Sequence, residues 1–161
     1  MFTVKQSPAI FETIFTGEVG KFSSLLLRQQ KVDMRDGYDR TALMLACFYN
    51  RPEMVKALLA RGADTNLRDK AGHTPLMMAV KYPRIVHMLL EKKAATNLAD
   101  NSRRTALFYA IFGKVSEQTL RSLLAKGADL RQVEKEWPFS TYGFESQEQS
   151  LRKLQKECQK H

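Results

Sequence analysis

Apolar and small residues return along this chain in one phrase, written three times. Asp36 leads to Thr41, Ala42, Leu43 and Ala46, then to Leu58 and Leu59. Asp69 leads to Thr74, Pro75, Leu76 and Ala79, then to Leu89 and Leu90. Asp100 leads to Thr105, Ala106, Leu107 and Ala110, then to Leu123 and Leu124. The threonines stand 33 and then 31 residues apart. Within each phrase the apolar positions fall at helical spacing and predict two helices. A threonine hydroxyl can cap the first helix by accepting from a free backbone N–H. Pro75 fits a first turn, where no intrahelical N–H bond is lost. Leu43, Leu76 and Leu107 mark a buried stripe, and Ala46, Ala79 and Ala110 allow close helix contact. The paired leucines give the second helix its core face. Gly62 and Gly127 fall where a helix ends and positive φ is cheap.

The phrases also close alike, as Gly62-Ala63-Asp64-Thr65-Asn66-Leu67, Lys93-Ala94-Ala95-Thr96-Asn97-Leu98 and Gly127-Ala128-Asp129-Leu130. The full pattern closely resembles the ankyrin repeat, a β-turn followed by two antiparallel helices. The resemblance implies an all-α solenoid of stacked helix–turn–helix units with β-turn or hairpin tips. Full repeats are expected over 36–68, 69–99 and 100–133. A degenerate capping repeat precedes them at 8–35: Leu25 and Leu26 lie 33 residues before Leu58 and Leu59, Pro8 and Ile10 take the Thr and Leu slots, and Gly17 falls in the inter-helix turn. Departure from the pattern suits a terminal unit, which has one neighbour instead of two. The repeat domain is thus expected over 1–133, with a C-terminal aromatic segment and capping helix over 134–161.

The copies differ in length and in one polar slot. Thr to Leu spans 17 residues in the first repeat, 15 in the second and 18 in the third. Both changes lie between the first and second helices. A shortened turn is expected at Lys81-Tyr82-Pro83-Arg84, and one extra residue near Gly113–Ser116. Met44, Met77 and Phe108 stand where the family usually has a histidine that ties adjacent turns together. Weaker hydrogen bonding between turns is the expectation, offset by apolar packing. Asp39 and Arg103 replace a customary turn glycine, which puts the geometry of those turns in question.

Charge and composition narrow the functional classes. The net charge is +9, and residues 69–133 hold eleven Lys and Arg against five Asp and Glu. A basic surface attracts acidic partners and speeds encounter. No apolar run reaches the length of a membrane span, and the N-terminus lacks a signal-peptide layout. Two cysteines do not make a disulfide framework; Cys47 is expected as a small packed side chain, and the setting as cytoplasmic or nuclear. The three histidines, His73, His87 and His161, belong to no metal or catalytic motif, and no Gly-rich phosphate loop is present. The expectation is a protein that is not an enzyme and needs no cofactor, metal or small-molecule substrate.

The resemblance places partner contacts at the turn tips and the outer residues of the first helices, which line a concave groove. Here those positions include Tyr38, Arg40, Phe48 and Tyr49 in the first repeat, Lys70, His73, Lys81 and Tyr82 in the second, and Arg103, Arg104 and Phe112 in the third. Tyr49 and Tyr82 are expected to be exposed; for Phe48 and Phe112 exposure and partial burial stand open. Aromatic and arginine residues carry much interface energy. The reading is a protein-interaction module, an adaptor, inhibitor or assembly factor, that binds an acidic and apolar segment of another protein. Alternatives are a nucleic-acid-binding protein using the basic face and a viral or bacterial effector that mimics host ankyrin proteins. In the tail, Trp137, Phe139, Tyr142 and Phe144 form an aromatic cluster, Ser146 and Gln149 a capping box, and Leu151, Leu154 and Cys158 one side of a helix. That helix either caps the open end of repeat three or docks on another protein.

Overall fold

The computed structural model describes residues 9–138 and 145–158, with side chains in the last helix from position 148 onward. Ten helices occupy the described residues: α1 (Ala9–Thr16), α2 (Val19–Arg28), α3 (Ala42–Phe48), α4 (Pro52–Ala60), α5 (Pro75–Ala79), α6 (Pro83–Glu91), α7 (Ala106–Phe112), α8 (Glu117–Ala125), α9 (Leu130–Glu136) and α10 (Glu145–Cys158). They pack in two rows. The inner row runs α1, α3, α5, α7, α9 and the outer row α2, α4, α6, α8, α10, each helix against the next in its row. Within the repeats, α1 packs on α2, α3 on α4, α5 on α6 and α7 on α8. The all-α solenoid expected from the repeated phrase is the fold.

The capping residues act as their chemistry dictates. The hydroxyls of Thr41, Thr74 and Thr105 accept from the backbone N–H of Met44, Met77 and Phe108 at 3.3, 3.4 and 3.3 Å. Leu43, Leu58, Leu76, Leu89, Leu107 and Leu123 are buried, as are Ala46, Ala79 and Ala110 at the close helix contacts. Each buried leucine contributes about 1.5–3 kcal/mol of transfer free energy. Cys47 is fully buried among them, and that burial pushes its thiol pKa well up, leaving it un-ionised.

The shortened second repeat differs from expectation. Its inter-helix connector, residues 80–82, is as long as residues 49–51 in the first repeat; the loss lies in α5, which has five residues against seven in α3 and α7. Pro83 is the first residue of α6, as Pro52 is of α4, where its missing N–H costs nothing. The third repeat does carry its extra residue in the connector, residues 113–116.

The turn tips keep one geometry. In each, the Asp backbone N–H donates to the carbonyl four residues on, and a residue three after the Asp donates back: Asp36 with Arg40 and Asp39, Asp69 with His73 and Gly72, Asp100 with Arg104 and Arg103. The third residue takes positive φ in every copy, 61° at Asp39, 84° at Gly72 and 62° at Arg103. The glycine substitutions therefore leave the turn intact at the cost of local strain.

Beyond repeat three both rows continue. Asp129 caps α9 by accepting from Arg131 N–H at 2.9 Å, and α9 runs across the junction expected at 133/134. Helix α10 lies on α8 through buried Leu151 and Leu154, with half-buried Cys158 on the same side. Arg152 reaches Glu134 of α9 at 3.2 Å, and Glu157 reaches Arg121 of α8 at 3.2 Å. So α9 and α10 stand where the two helices of a further repeat would, covering the end of the array. Trp137 is half-buried, with its ring 5.0 Å from that of Phe108. Phe139, Tyr142, Phe144, Pro8 and the side chain of Ser146 lie outside the described residues.

Candidate partner-binding surface

At the tips, one carboxylate organises each turn. Asp36 Oδ1 accepts from the N–H of Tyr38 and Arg40 at 2.8 and 2.9 Å, while Oδ2 meets the Arg40 guanidinium at 2.7 Å. Asp69 accepts likewise from Ala71 and His73, with His73 Nδ1 3.2 Å from Oδ2. Asp100 accepts from Ser102 and Arg104 N–H, from Arg104 Nε at 2.9 Å and from the Tyr109 hydroxyl at 2.6 Å. His73 Nε2 lies 3.7 Å from Asp100 Oδ2, so this ring spans the tips of two repeats. Burial alone would raise the Asp36 and Asp100 pKa values. The bonds from Arg40 and Tyr38 in one case, and from Tyr109, Arg104 and Ser102 in the other, outweigh it and hold both below the usual carboxylate range. Burial and its bond to Asp100 push the Tyr109 hydroxyl up to about 12. Arg40, His73 and Arg104 are thus first of all partners of their own turn's aspartate.

Other tip residues remain open to solvent. Tyr38 is 66% exposed, with the Arg40 guanidinium 4.9 Å from its ring centroid. Lys70 is exposed, and its ammonium donates to Gly37 C=O at 2.7 Å. Arg103 is exposed and sits 3.3 Å from Glu136.

The seventh position after each repeat's Thr slot falls at the C-terminal end of α1, α3 and α7 and, in repeat two, in the connector that follows the shortened α5. Phe48 and Phe112 hold it in repeats one and three, Lys81 in repeat two, and Phe15 in the capping repeat, counted from Pro8. Phe15 was not among the sequence-derived contacts; its spacing from Phe48, one repeat length, is the signal that identifies it. Phe15 and Phe48 are 65% and 56% exposed. Both meet Tyr49 edge-to-face, at centroid distances of 5.4 and 5.1 Å. Tyr49 and Tyr82 are half-buried against the core instead of exposed. Tyr49 is the C-cap of α3 and Tyr82 the N-cap of α6, and from those helix ends both pack on the core. Phe112 is half-buried and stacks on Phe108 at 4.3 Å. Lys81 is exposed, with no ion pair among the described residues.

Residues 55–134 match the family described as ankyrin repeats (3 copies), and residues 25–79 that described as ankyrin repeats (many copies). The chain belongs to the ankyrin-repeat family. Among curated relatives, ankyrin repeat domain-containing protein 13C of Danio rerio is 33% identical over 73 residues, 45% of this chain and 15% of that protein. NF-kappa-B inhibitor alpha of Homo sapiens is 41% identical over 59 residues, 34% of this chain and 19% of that protein. Putative ankyrin repeat protein FPV230 of Fowlpox virus (strain NVSL) is 39% identical over 56 residues, 35% of this chain and 30% of that protein. The matched stretch thus spans under a third of each of these relatives.

In this ankyrin array the histidine slot is apolar, yet the turns are tied by other means. Met44 is buried with its sulfur 3.4 Å from Thr41 N. Arg35 donates to Arg68 C=O at 2.8 Å, and Arg68, one repeat on, to Ala99 C=O at 2.7 Å. Lys70 N–H donates to Tyr38 C=O and Asn101 N–H to Ala71 C=O, linking successive tips. At the far end of each repeat, Asn66 accepts from Ala95 N–H and Asn97 from Asp129 N–H, both at 2.8 Å. The ankyrin tips therefore form a bonded strip, from which Tyr38 and Arg103 still project to solvent. Among the described residues, no three His, Cys, Asp or Glu side chains converge as metal ligands.

Proposed function

We propose that this chain is a non-catalytic protein-interaction module, an adaptor, inhibitor or assembly factor, whose concave groove holds an acidic and apolar segment of a partner protein. The observation that carries the reading is the exposed pair Phe15 and Phe48 on the inner row, with Lys81 and half-buried Phe112 at the matching sequence position of repeats two and three. A single exposed apolar side chain is ordinary, but Phe15 and Phe48 form one patch across two repeats, sharing Tyr49. They contribute little to the core, so partner burial is the role left for them. Lys81 holds the same sequence position in repeat two and forms no ion pair among the described residues, so a carboxylate on the partner would meet it. Family membership supports a protein partner. The likeness to a protein named NF-kappa-B inhibitor alpha supports the inhibitor branch. Both cysteines are free, which suits a reducing cytoplasmic or nuclear setting.

The test compares wild type with Phe15→Ala/Phe48→Ala in affinity capture followed by mass spectrometry. Loss of the wild-type partner set at unchanged melting temperature is the expected result. Identical capture by both proteins would overturn the groove. A salt titration against random single-stranded RNA separates the nucleic-acid alternative, which requires tight, steeply salt-dependent binding.

A further inference from the structure

The extra residue of repeat three builds a feature that the concave groove does not use. The connector 113–116 carries Lys114 at φ 50°, in the left-handed region. That backbone is unfavourable for lysine and cheap for glycine or asparagine, and Asn50 holds the corresponding place in repeat one at φ 52°. Strain alone does not single Lys114 out, since Lys93 takes the same region at φ 60°; its position does. Beside it, a cleft of about 580 Å³ separates the end of repeat three from α10. Its apolar lining is aliphatic: Ile111, Val115 and Leu120 on one side, Leu151 and Leu154 on the other. Val115 and Leu120 are only half-covered. The size falls within the range of roughly 300–1,000 Å³ typical of occupied sites.

The charges around the cleft are unequal in their commitments. Three cations and two carboxylates line it. Arg121 takes both carboxylates, Glu117 at 2.7 Å and Glu157 at 3.2 Å. Lys114, from the repeat, and Lys153, from α10, are exposed and form no ion pair among the described residues. An aliphatic floor selects aliphatic side chains, and two uncommitted ammonium groups on facing walls select carboxylates. No aromatic side chain is among the lining residues to stack on a planar ring. The cleft is open to solvent, so a chain can lie in it with its backbone hydrated.

The geometry points to a second docking site at the C-terminal end of the array. The cleft between repeat three and α10 receives a short partner segment with aliphatic side chains on one face, flanked by aspartate or glutamate. Lys114 and Lys153 pair with those acids, and the aliphatic side chains complete the cover that Val115 and Leu120 lack. The site is separate from the inner-row aromatics, so either can fail without the other.

The test selects short displayed random peptides on the full chain and measures the enriched ones by fluorescence anisotropy. Binding is compared among wild type, Lys114→Glu/Lys153→Glu and Phe15→Ala/Phe48→Ala, with melting temperatures checked. Peptides combining aliphatic and acidic residues are expected, binding the lysine variant about tenfold or more weakly and the phenylalanine variant as well as wild type. The proposal is overturned if no such peptides enrich, or if the lysine variant binds them as wild type does. It is equally overturned if decanoate occupies the cleft while no peptide does, since that marks a site for small amphiphiles.

Discussion

Tyr109→Phe removes one oxygen from the most enclosed carboxylate of the tips. Asp100 has a fully buried side chain, and the Tyr109 hydroxyl donates to its Oδ2 at 2.6 Å. The phenylalanine keeps the edge-to-face contact with Phe108, at 5.6 Å between centroids, so packing changes little. A hydrogen bond to a charged acceptor is worth about 1.5–3 kcal/mol. Arg104 still holds the carboxylate after the substitution, so about 2 kcal/mol is expected at neutral pH. For a chain of this size that lowers the melting temperature by about 4–8 °C.

The pH dependence has a definite sign. Asp100 is held below the usual carboxylate range, because the bonds from Tyr109, Arg104 and Ser102 outweigh the opposing effect of burial. Its contribution is therefore full above the unfolded value of about 4 and lost as pH falls through the folded one. Tyr109 is shifted the other way, to about 12 in the folded chain. Its contribution is full below about pH 10, the unfolded value, and lost as pH rises through the folded one. The gap between wild type and Tyr109→Phe, measured by urea unfolding across pH, should form a plateau that shrinks at both ends. A variant that unfolds like wild type at neutral pH, or a gap that persists undiminished in acid, would refute the reasoning.

Strain and capping give further expectations. Lys93 and Arg103 occupy left-handed backbone at φ 60° and 62°; Lys93→Gly should stabilise by about 0.5–1 kcal/mol in urea melts, the left-handed penalty less the entropy glycine costs, and Arg103→Gly by less, because it also loses the ion pair with Glu136. Gly72→Ala should do the reverse: the new Cβ would stand 2.6 Å from Arg68 Nη2 and 2.8 Å from Asn101 N. Leu151→Ala/Leu154→Ala should lower the melting temperature, since each truncation of a buried leucine costs about 2–5 kcal/mol; unchanged melting would show that α10 does not cap the array.

The scaffold was legible because it is written in residues whose chemistry has one reading. A threonine ahead of an apolar stripe caps a helix, and paired leucines face a core. Two other features used the same alphabet ambiguously. The Thr-to-Leu distance counts residues between helices and cannot say whether a helix or its connector lost them, so the shortening of α5 was read as a shortened turn. Helix α9 has only Leu130 and Val133 as buried apolar positions and an Asp cap instead of a Thr, so the repeat pattern stopped before it did. Phe15 was hidden by the proline in its repeat's Thr slot. Tyr49 and Tyr82 show a third kind of ambiguity: a position on the groove edge fixes where the backbone goes, while the ring's direction depends on neighbours in two other helices.

The division of labour among charged residues follows from the same turn chemistry. Asp is followed four residues later by Arg, His and Arg in the three tips, a recurrence that looks like a variable, partner-facing position. In the folded chain it closes each turn, because a carboxylate already accepting two backbone N–H bonds presents its second oxygen to whatever stands at that place. The basic excess of the repeats is thus partly consumed at the tips. Among the exposed cations that form no ion pair among the described residues are Lys81, in repeat two, and Lys114 and Lys153 at the α10 cleft. Lys114 and Lys153 line the cleft together with half-covered Val115 and Leu120. On the proposed reading, a partner that neutralises them also brings something apolar, and a purely acidic polymer would satisfy only half of the surface.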